Sequence, residues 1–311
     1  MSNTLSVAIL GEALIDFKST GHLAFQGFVG GSPFNVAIAV ARQQQPVTFL
    51  SQISRDLLGT PLKSYLIENG VDTRYLLESD APSTVAFVEE RDGNAHFQFM
   101  NSGAADTLYD PRPRPILPES VCYIQFGSIS LLSEPTATSI TDIVAAHRHR
   151  ATIVFDPNCR PALTKDRAAY HAKLLGEWIP LAHILKISDQ DLAWLEPNRP
   201  HADVAQAWLA LGPMVVIVTA GENGATLYRN GHAPIRVMPP TITVVDTVGA
   251  GDTFTANMMV RLLQLGIQST AQLAELTDTQ WQDVMRYAAV AAAINCTRAG
   301  ANPPTLDEMK A

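Results

Sequence analysis

The stretch DTVGAGDTFTANMMVRLLQLG, residues 246–266, joins a pair of glycines to a long apolar run. The run reads as a helix ending at Gly266, yet its first turn holds Gly249, Ala250 and Gly251, where glycine loses more backbone entropy than any other residue. Two readings account for this. Glycines without side chains leave backbone N–H groups open to a ligand at the positive end of the helix, which makes an anion site. Alternatively, the segment is a glycine-rich turn with Asp252 in a first helical turn, where acids are favoured in any case. A carboxylate beside an anion hole also has a chemical use. It can accept a proton from a hydroxyl while the hole stabilises charge on the group being transferred, which is the arrangement phosphoryl transfer needs.

Outward from that helix the chain alternates short apolar runs with helical patterns. SVAIL (6–10), VTFLSQI (47–53), VCYIQFG (121–127), TIVFD (152–156), HILKIS (183–188) and MVVIVT (214–219) are continuously apolar rather than alternating, as strands covered on both faces are. Helices on both sides of a mainly parallel sheet follow. HLAFQGFVGG (22–31) and TVAFVEERDGNAHFQFM (84–100) break the rhythm. Neither is followed at once by a crossover helix, and the second reads as a hairpin around Asp92, Gly93 and Asn94, so the two are expected to form a small β flap outside the main sheet. The alanine-rich stretch at 288–293 admits close approach of another helix or of a flat ligand.

Composition narrows the function classes. With 47% hydrophobic and 17% charged residues the chain can bury a large core. The formal charge is −8 and no basic run exceeds HRHR at 147–150, which argues against a nucleic-acid partner. Cys122, Cys159 and Cys296 are far apart and odd in number, as expected in reducing cytoplasm. Neither a secretory leader nor a membrane span is expected, since no uninterrupted apolar run approaches ~20 residues. Phosphate loops of the GxxxxGK[ST] type, GxSxG elbows and GxGxxG turns after a strand are missing, and the histidines show no metal-ligand spacing.

GGSPFNVAIAVARQQ, 30–44, has the same logic as the opening stretch, with a neutral ligand. Ser32 reads as N-cap, Pro33 as the first helical residue, and Phe34, Ala37, Ile38 and Ala41 as the buried face. Gly30, Gly31 and Asn35 then lie near the helix start. Asp16, in GEALIDF just after the first strand, can end at the same crevice and accept bonds from two hydroxyls; each residue alone could equally be a cap or loop residue.

GGSPFNVAIAVARQQQPVTFLSQISRDLLG, 30–59, and DTVGAGDTF, 246–254, resemble the two signatures of the ribokinase-like (PfkB) carbohydrate kinases. GEALIDF, FMNSGAAD (99–106) and DPNCRPAL (156–163) resemble the fructokinase branch of that family. The resemblance implies a three-layer α/β fold, a doubly wound, mainly parallel sheet, in a single domain over 1–311 with a β lid formed from about 12–34 and 84–106. It implies phosphoryl transfer from ATP to a sugar hydroxyl, with fructose as first choice and 2-keto-3-deoxygluconate as second; a non-catalytic sensor on the same fold is the remaining alternative.

Residue by residue, the resemblance makes Asp252 the base and the backbone of Gly249, Ala250 and Gly251 the anion hole. Asp16, Gly31, Asn35, Asn101 and Ala104 match sugar positions, and Arg160 of Asp156-x-Asn158-x-Arg160 lies near the phosphates. Lys186, Ser188, Thr219, Gly221, Gly224 and Asn295 match the nucleotide side. The family's NxxE motif, tied to Mg2+ and phosphate, is departed from: Ser188 and Asp191 stand at those positions, and the shorter acid suits a water-mediated contact. CTRAGA (296–301) with Asp246 and Val248 matches the loop where relatives bind a monovalent cation such as K+ through carbonyl oxygens. A homodimer through the lid is a further expectation, since exposed edge strands invite pairing.

Overall fold

The computed structural model describes residues 5–91 and 94–310. In chain order its strands are β1 (Ser6–Leu10), β2 (Leu14–Gly21), β3 (Ala24–Gly30), β4 (Val47–Ser54), β5 (Leu76–Ser79), β6 (Thr84–Arg91), β7 (Asn94–Met100), β8 (Val121–Gly127), β9 (Thr152–Asp156), β10 (Ile184–Ser188), β11 (Val215–Thr219), β12 (Ala225–Tyr228) and β13 (Ile235–Val237). The α-helices are α1 (Ser32–Arg42), α2 (Gly59–Glu68), α3 (Thr136–His147), α4 (Arg167–Lys173), α5 (Asp189–Leu195), α6 (His201–Leu209), α7 (Ala250–Gln264), α8 (Thr270–Ala274) and α9 (Asp278–Cys296).

Nine strands form one sheet in the order β13-β12-β11-β10-β9-β8-β1-β4-β5, parallel from β5 to β11 and antiparallel at the β11–β12 and β12–β13 pairings. The apolar strands are covered on both faces, as their composition requires. Val7 and Ile9 of β1 pack in one cluster with α1, α2, α7, α8 and α9, whereas Ala8 and Leu10 pack in another with α3, α4, α5 and α6. The same alternation runs through β11, with Val215 and Ile217 on the first side and Val216 and Val218 on the second. Three layers result.

Ala288, Ala289, Ala291 and Ala293 of α9 are buried, and α9 packs along α7, so the small residues serve helix packing. α1 is buried nearly all round, from Ser32 to Val40, rather than on one stripe, because it lies between the sheet and α7. β5, β12 and β13 are strands that sequence pattern misses. They are short pieces at the two ends of the sheet, with little periodicity to read.

The small sheet is the expected flap, in the order β3-β2-β6-β7. Its β2 falls within the 12–34 segment that the family resemblance assigns to the lid, although the sequence pattern by itself marks only 22–31 there as strand. The turn expected at Asp92 and Gly93 lies outside the described residues. By register, Leu14, Asp16 and Lys18 of β2 share a face with Thr84, Ala86 and Val88 of β6. Leu14 and Ala86 pack with Ile129, just beyond β8, so this face rests on the loops at the carboxyl end of the main sheet. On the other face Phe17 stacks on Phe87, with ring centroids 5.6 Å apart. Among the described residues no helix is long and apolar enough to cross a membrane.

Candidate active site

In the main sheet β1 lies between β4 and β8, so the chain leaves it to one side and returns to the other. Such a reversal opens a crevice beyond the carboxyl ends of the strands. The segment after β1, the ends of β8, β9, β10 and β11, and the N-termini of α1 and α7 all reach that region, and β2 of the small sheet covers it.

Gly249 begins α7 with φ +75°, a left-handed conformation that glycine adopts without strain. The amide of Ala250 donates to Thr247 O at 3.2 Å, and that of Thr253 to Gly249 O at 2.8 Å. The amides of Gly251 and Asp252 belong to the first turn, where the helix itself supplies no acceptor. A Cβ on Gly251 would lie 2.8 Å from the Lys186 Nζ, so the missing side chain is what lets a buried ammonium stand at the helix N-terminus. Positive charge and unpaired helix donors converge there, and the site suits an anion.

Asp252 follows one residue later and is 8% exposed. Its Oδ1 accepts from Ser32 Oγ at 2.6 Å and its Oδ2 from Asn35 Nδ2 at 2.8 Å, both from the first turn of α1. Burial pushes this carboxyl above the ordinary range, while the two hydrogen bonds and the Lys186 charge pull it partway back. Ser32 is therefore not the N-cap that the sequence suggests. Gly31 holds the cap position and α1 has no side-chain cap, because the hydroxyl is drawn 220 residues along the chain to Asp252.

Lys186 Nζ donates to Asp156 Oδ2 at 2.8 Å in an ion pair whose side chains are 5% and 3% exposed. Burial works against the ammonium, yet Asp156, with Asp252 and Asp191 beyond it, holds its pKa above the usual lysine value. Ser188 caps α5, accepting from the Asp191 amide at 3.0 Å, and burial raises the Asp191 carboxyl with Asp156 adding to the effect. Arg160 Nη1 donates to Asn158 Oδ1 at 2.8 Å, and its charge reaches Asp16, Glu12 and Asp191. Among the described residues no three His, Cys, Asp or Glu side chains form a metal-ligand group.

On the sugar side, Asp16 lies against Gly30, where a Cβ would sit 2.4 Å from its Oδ2. Burial lifts its pKa to about 6, against the pull of Arg160. Ala104 is buried, and its amide donates to Asn101 O at 3.1 Å. Asn35, read from the sequence as a sugar contact, spends one amide donor on Asp252. Two acids escape the sequence reading. Asp106 is buried under Thr84, which donates to it at 2.5 Å, and burial lifts its pKa to about 7. Glu12 is buried between Ser32 and Ser130. Its signal is the acid of GEALIDF, but an acid two residues past a strand has no distinctive spacing.

The loop before α7 is tied on several sides. Asp246 accepts from the amides of Val248 and Gly300, each at 3.0 Å, and from Lys18 Nζ at 3.1 Å. Burial acts against its charge, but these donors hold the carboxyl below its ordinary pKa. Asn295 is fully buried, donating to Val248 O at 2.8 Å and accepting from the Asn302 amide at 2.8 Å. Its amide fastens the two loops together. Thr219 ends β11, donating to Ile187 O at 3.4 Å, and Gly221 and Gly224 shape the turn into β12.

The family description "pfkB family carbohydrate kinase" matches residues 4–308. A fructokinase of Rhizobium leguminosarum bv. trifolii is 33% identical over 272 residues, covering 86% of this chain and 83% of that protein. Among solved structures, the Xylella fastidiosa fructokinase with bound ATP superimposes with a TM-score of 0.88 at 26% identity, over 98% of this chain and 97% of that one. The fructokinase of Vibrio cholerae O395, in a form with fructose, ADP and calcium, has the same fold, with a TM-score of 0.84 at 23% identity, over 99% and 96%.

Proposed function

The chain belongs to the pfkB family of carbohydrate kinases, and from that premise we propose that it is a fructokinase converting ATP and D-fructose to ADP and D-fructose 6-phosphate. The observation that carries this reading is the buried carboxylate of Asp252, held by Ser32 and Asn35 one residue inside a glycine-opened helix N-terminus with the Lys186 ammonium beside it. The relatives named above are fructokinases, and one of the solved structures contains ATP.

In this reading the sugar's 6-hydroxyl gives its proton to Asp252 as its oxygen forms a bond to the γ-phosphorus. The bond from that phosphorus to the β–γ bridging oxygen breaks, ADP departs with the electron pair, and Asp252 returns the proton to solvent. The N-terminus of α7, through Gly249, Ala250 and Gly251, with Lys186 and Arg160, stabilises charge on the phosphoryl group. A carboxylate whose proton affinity is raised by burial is a stronger base than an exposed one. Asp16, Gly31, Asn35, Asn101 and Ala104 hold and cover the sugar; Ser188, Thr219, Gly221, Gly224 and Asn295 shape the nucleotide side.

Mg2+ would neutralise the phosphate oxygens. With no cage of carboxylates among the described residues, the ion suits a site made mostly of phosphate and water, with Asp191 as the protein acid nearby. The carbonyls of the loop at Asp246 and Val248 would take K+, although Lys18 already gives Asp246 one cation. Three unpaired cysteines agree with cytoplasm. The edge strands β3 and β7, with Leu23 93% exposed between β2 and β3, suit pairing with a second copy.

The test is ADP release across a panel of sugars, with the product's phosphate position assigned by phosphorus NMR. Fructose is expected to have the highest kcat/KM and to be phosphorylated at C6. A higher value for 2-keto-3-deoxygluconate would reassign the substrate, and failure of every sugar on the panel to elicit ADP release would leave only a binding role.

A further inference from the structure

We propose that Ser32, supported from behind by Glu12, is a positioning residue that holds Asp252 in the ionised, proton-accepting state, so that the start of α1 acts on the reacting carboxylate at the start of α7. The inference rests on the reading of Asp252 as base and assigns a role to Ser32, which the sequence reads only as an N-cap, and to Glu12, which lies outside both signature stretches.

The geometry is a chain of four residues, Asp252, Ser32, Glu12 and Ser130, linked through side chains and backbone amides and reaching back from the crevice. Ser32 Oγ donates to Asp252 Oδ1 at 2.6 Å. The amide of Ser32 donates to Glu12 Oε1 at 3.2 Å. The other carboxylate oxygen of Glu12 accepts from the Ser130 hydroxyl, which in turn accepts from the Glu12 amide at 2.8 Å. All four residues are buried, Glu12 at 2% exposure, so no solvent competes for these bonds. Gly31 makes the approach possible: it has φ +105°, and a Cβ there would stand 2.8 Å from Glu12 O. A buried acid in contact with a helix's first amide, which the helix itself leaves unpaired, fixes where that helix begins.

The consequence falls on the protonation of Asp252. Its charged surroundings are Asp16 on β2, Asp156 at the end of β9 and Lys186 on β10, with the fields of Glu12 and Arg160 reaching Asp16 beside it. Two like charges and full burial favour the protonated, catalytically idle form, and Lys186 is shared with Asp156. Hydrogen bonds to the ionised form oppose them. Asn35 provides one, but its amide also lies at the sugar position. Ser32 provides the other, at 2.6 Å from the buried first turn of α1, and its amide is in turn held by Glu12.

The experiment is the pH dependence of fructose kcat/KM in wild type, Ser32→Ala and Ser32→Thr, with Asp252→Asn as reference and calorimetric fructose affinity and thermal unfolding for each. In Ser32→Ala the acidic limb is expected to move up by about one pH unit, since a hydrogen bond to a charged group is worth roughly that much in proton affinity. Kcat is expected to fall at neutral pH by no more than about tenfold, with the larger losses at lower pH, and with fructose affinity held within about threefold. Ser32→Thr, which keeps the hydroxyl, is expected to retain the wild-type limb. An unmoved limb in Ser32→Ala overturns the proposal, as does a moved one in Ser32→Thr, and the two variants decide independently should one not fold. Loss of activity in Asp252→Asn beside an unmoved limb in Ser32→Ala would sink this inference alone, whereas an active Asp252→Asn would remove the reading beneath it.

Discussion

Replacing Asp252 by asparagine preserves the size of the side chain and removes its capacity to take a proton. The fold should accept the change. The introduced amide oxygen can accept from Asn35, which now stands 2.8 Å from Oδ2, and its N–H can donate to Ser32 Oγ, now 2.6 Å from Oδ1, because a hydroxyl accepts as well as it donates. The bond weakened by losing the charge is offset by removal of a carboxylate that burial disfavours, so stability should stay within about 1 kcal/mol of wild type. Lys186 retains Asp156 at 2.8 Å. Turnover has no such compensation. General-base catalysis contributes roughly a hundredfold to ten-thousandfold, and the charge also orients the attacking hydroxyl, so the loss should lie near the upper end, about 5 kcal/mol of barrier. The assay is coupled ADP release at saturating fructose and MgATP, beside calorimetric fructose affinity and a thermal melt. A variant within tenfold of wild type in kcat, with unchanged affinity, would show that another group takes the proton and that Asp252 is only an acid of the helix's first turn.

Gly251→Ala places a methyl group in the space beside Lys186 Nζ and improves helix propensity by about 1 kcal/mol, so the melting temperature should hold or rise while KM for ATP rises at least tenfold; unchanged ATP kinetics would take the α7 N-terminus out of the phosphate site. Lys186→Met leaves Asp156 buried without its partner, and urea titration should show a loss of about 3–5 kcal/mol, a much smaller loss meaning that water or Arg160 serves the orphaned acid. His183 Nδ1 accepts from the Ile153 amide at 2.9 Å, and burial lowers its pKa to about 4; the unfolded chain therefore takes up the proton first, and stability present above about pH 6.5 should drain by about 3 kcal/mol towards pH 4. Asp106 and Asp16, raised to about 7 and about 6, work in the opposite direction as pH falls, so the comparison is with His183→Asn, whose stability relative to wild type should rise by about 3 kcal/mol between about pH 6.5 and pH 4. Potassium at constant ionic strength should raise kcat above sodium or a bulky organic cation, and equal rates in all three would remove the cation from the loop at Asp246 without touching the kinase assignment.

Much of the architecture was legible because it depends on local pattern. β1, β8 and β9 coincide with the apolar runs that mark them, since a strand buried on both faces must be apolar at every position. DTVGAGDTF and GGSPFN marked two helix starts, because glycine where a helix should begin is costly unless backbone is needed there. Both starts do meet in one crevice, and Asp252 does lie at the glycine-opened N-terminus.

What tertiary structure alone decided is which partner each polar group takes. Ser32 has the composition of an N-cap, and a cap bond is worth only about 1 kcal/mol, so a buried carboxylate brought within 2.6 Å outbids it. Asn295, expected beside the nucleotide, also ties two loops together, and Lys186 pairs with Asp156 from the adjacent strand. Glu12 and Asp106 left no trace in spacing because their importance comes from burial, which raises their proton affinity and depends on what the rest of the chain packs over them. Local pattern is set by interactions within a turn or a strand and can be read along the chain. The proton affinity of an acid and the choice of its donors are set by dielectric and geometry among residues up to 228 positions apart, and these exist only once the sheet, the two helix N-termini and the small sheet have closed around the same crevice.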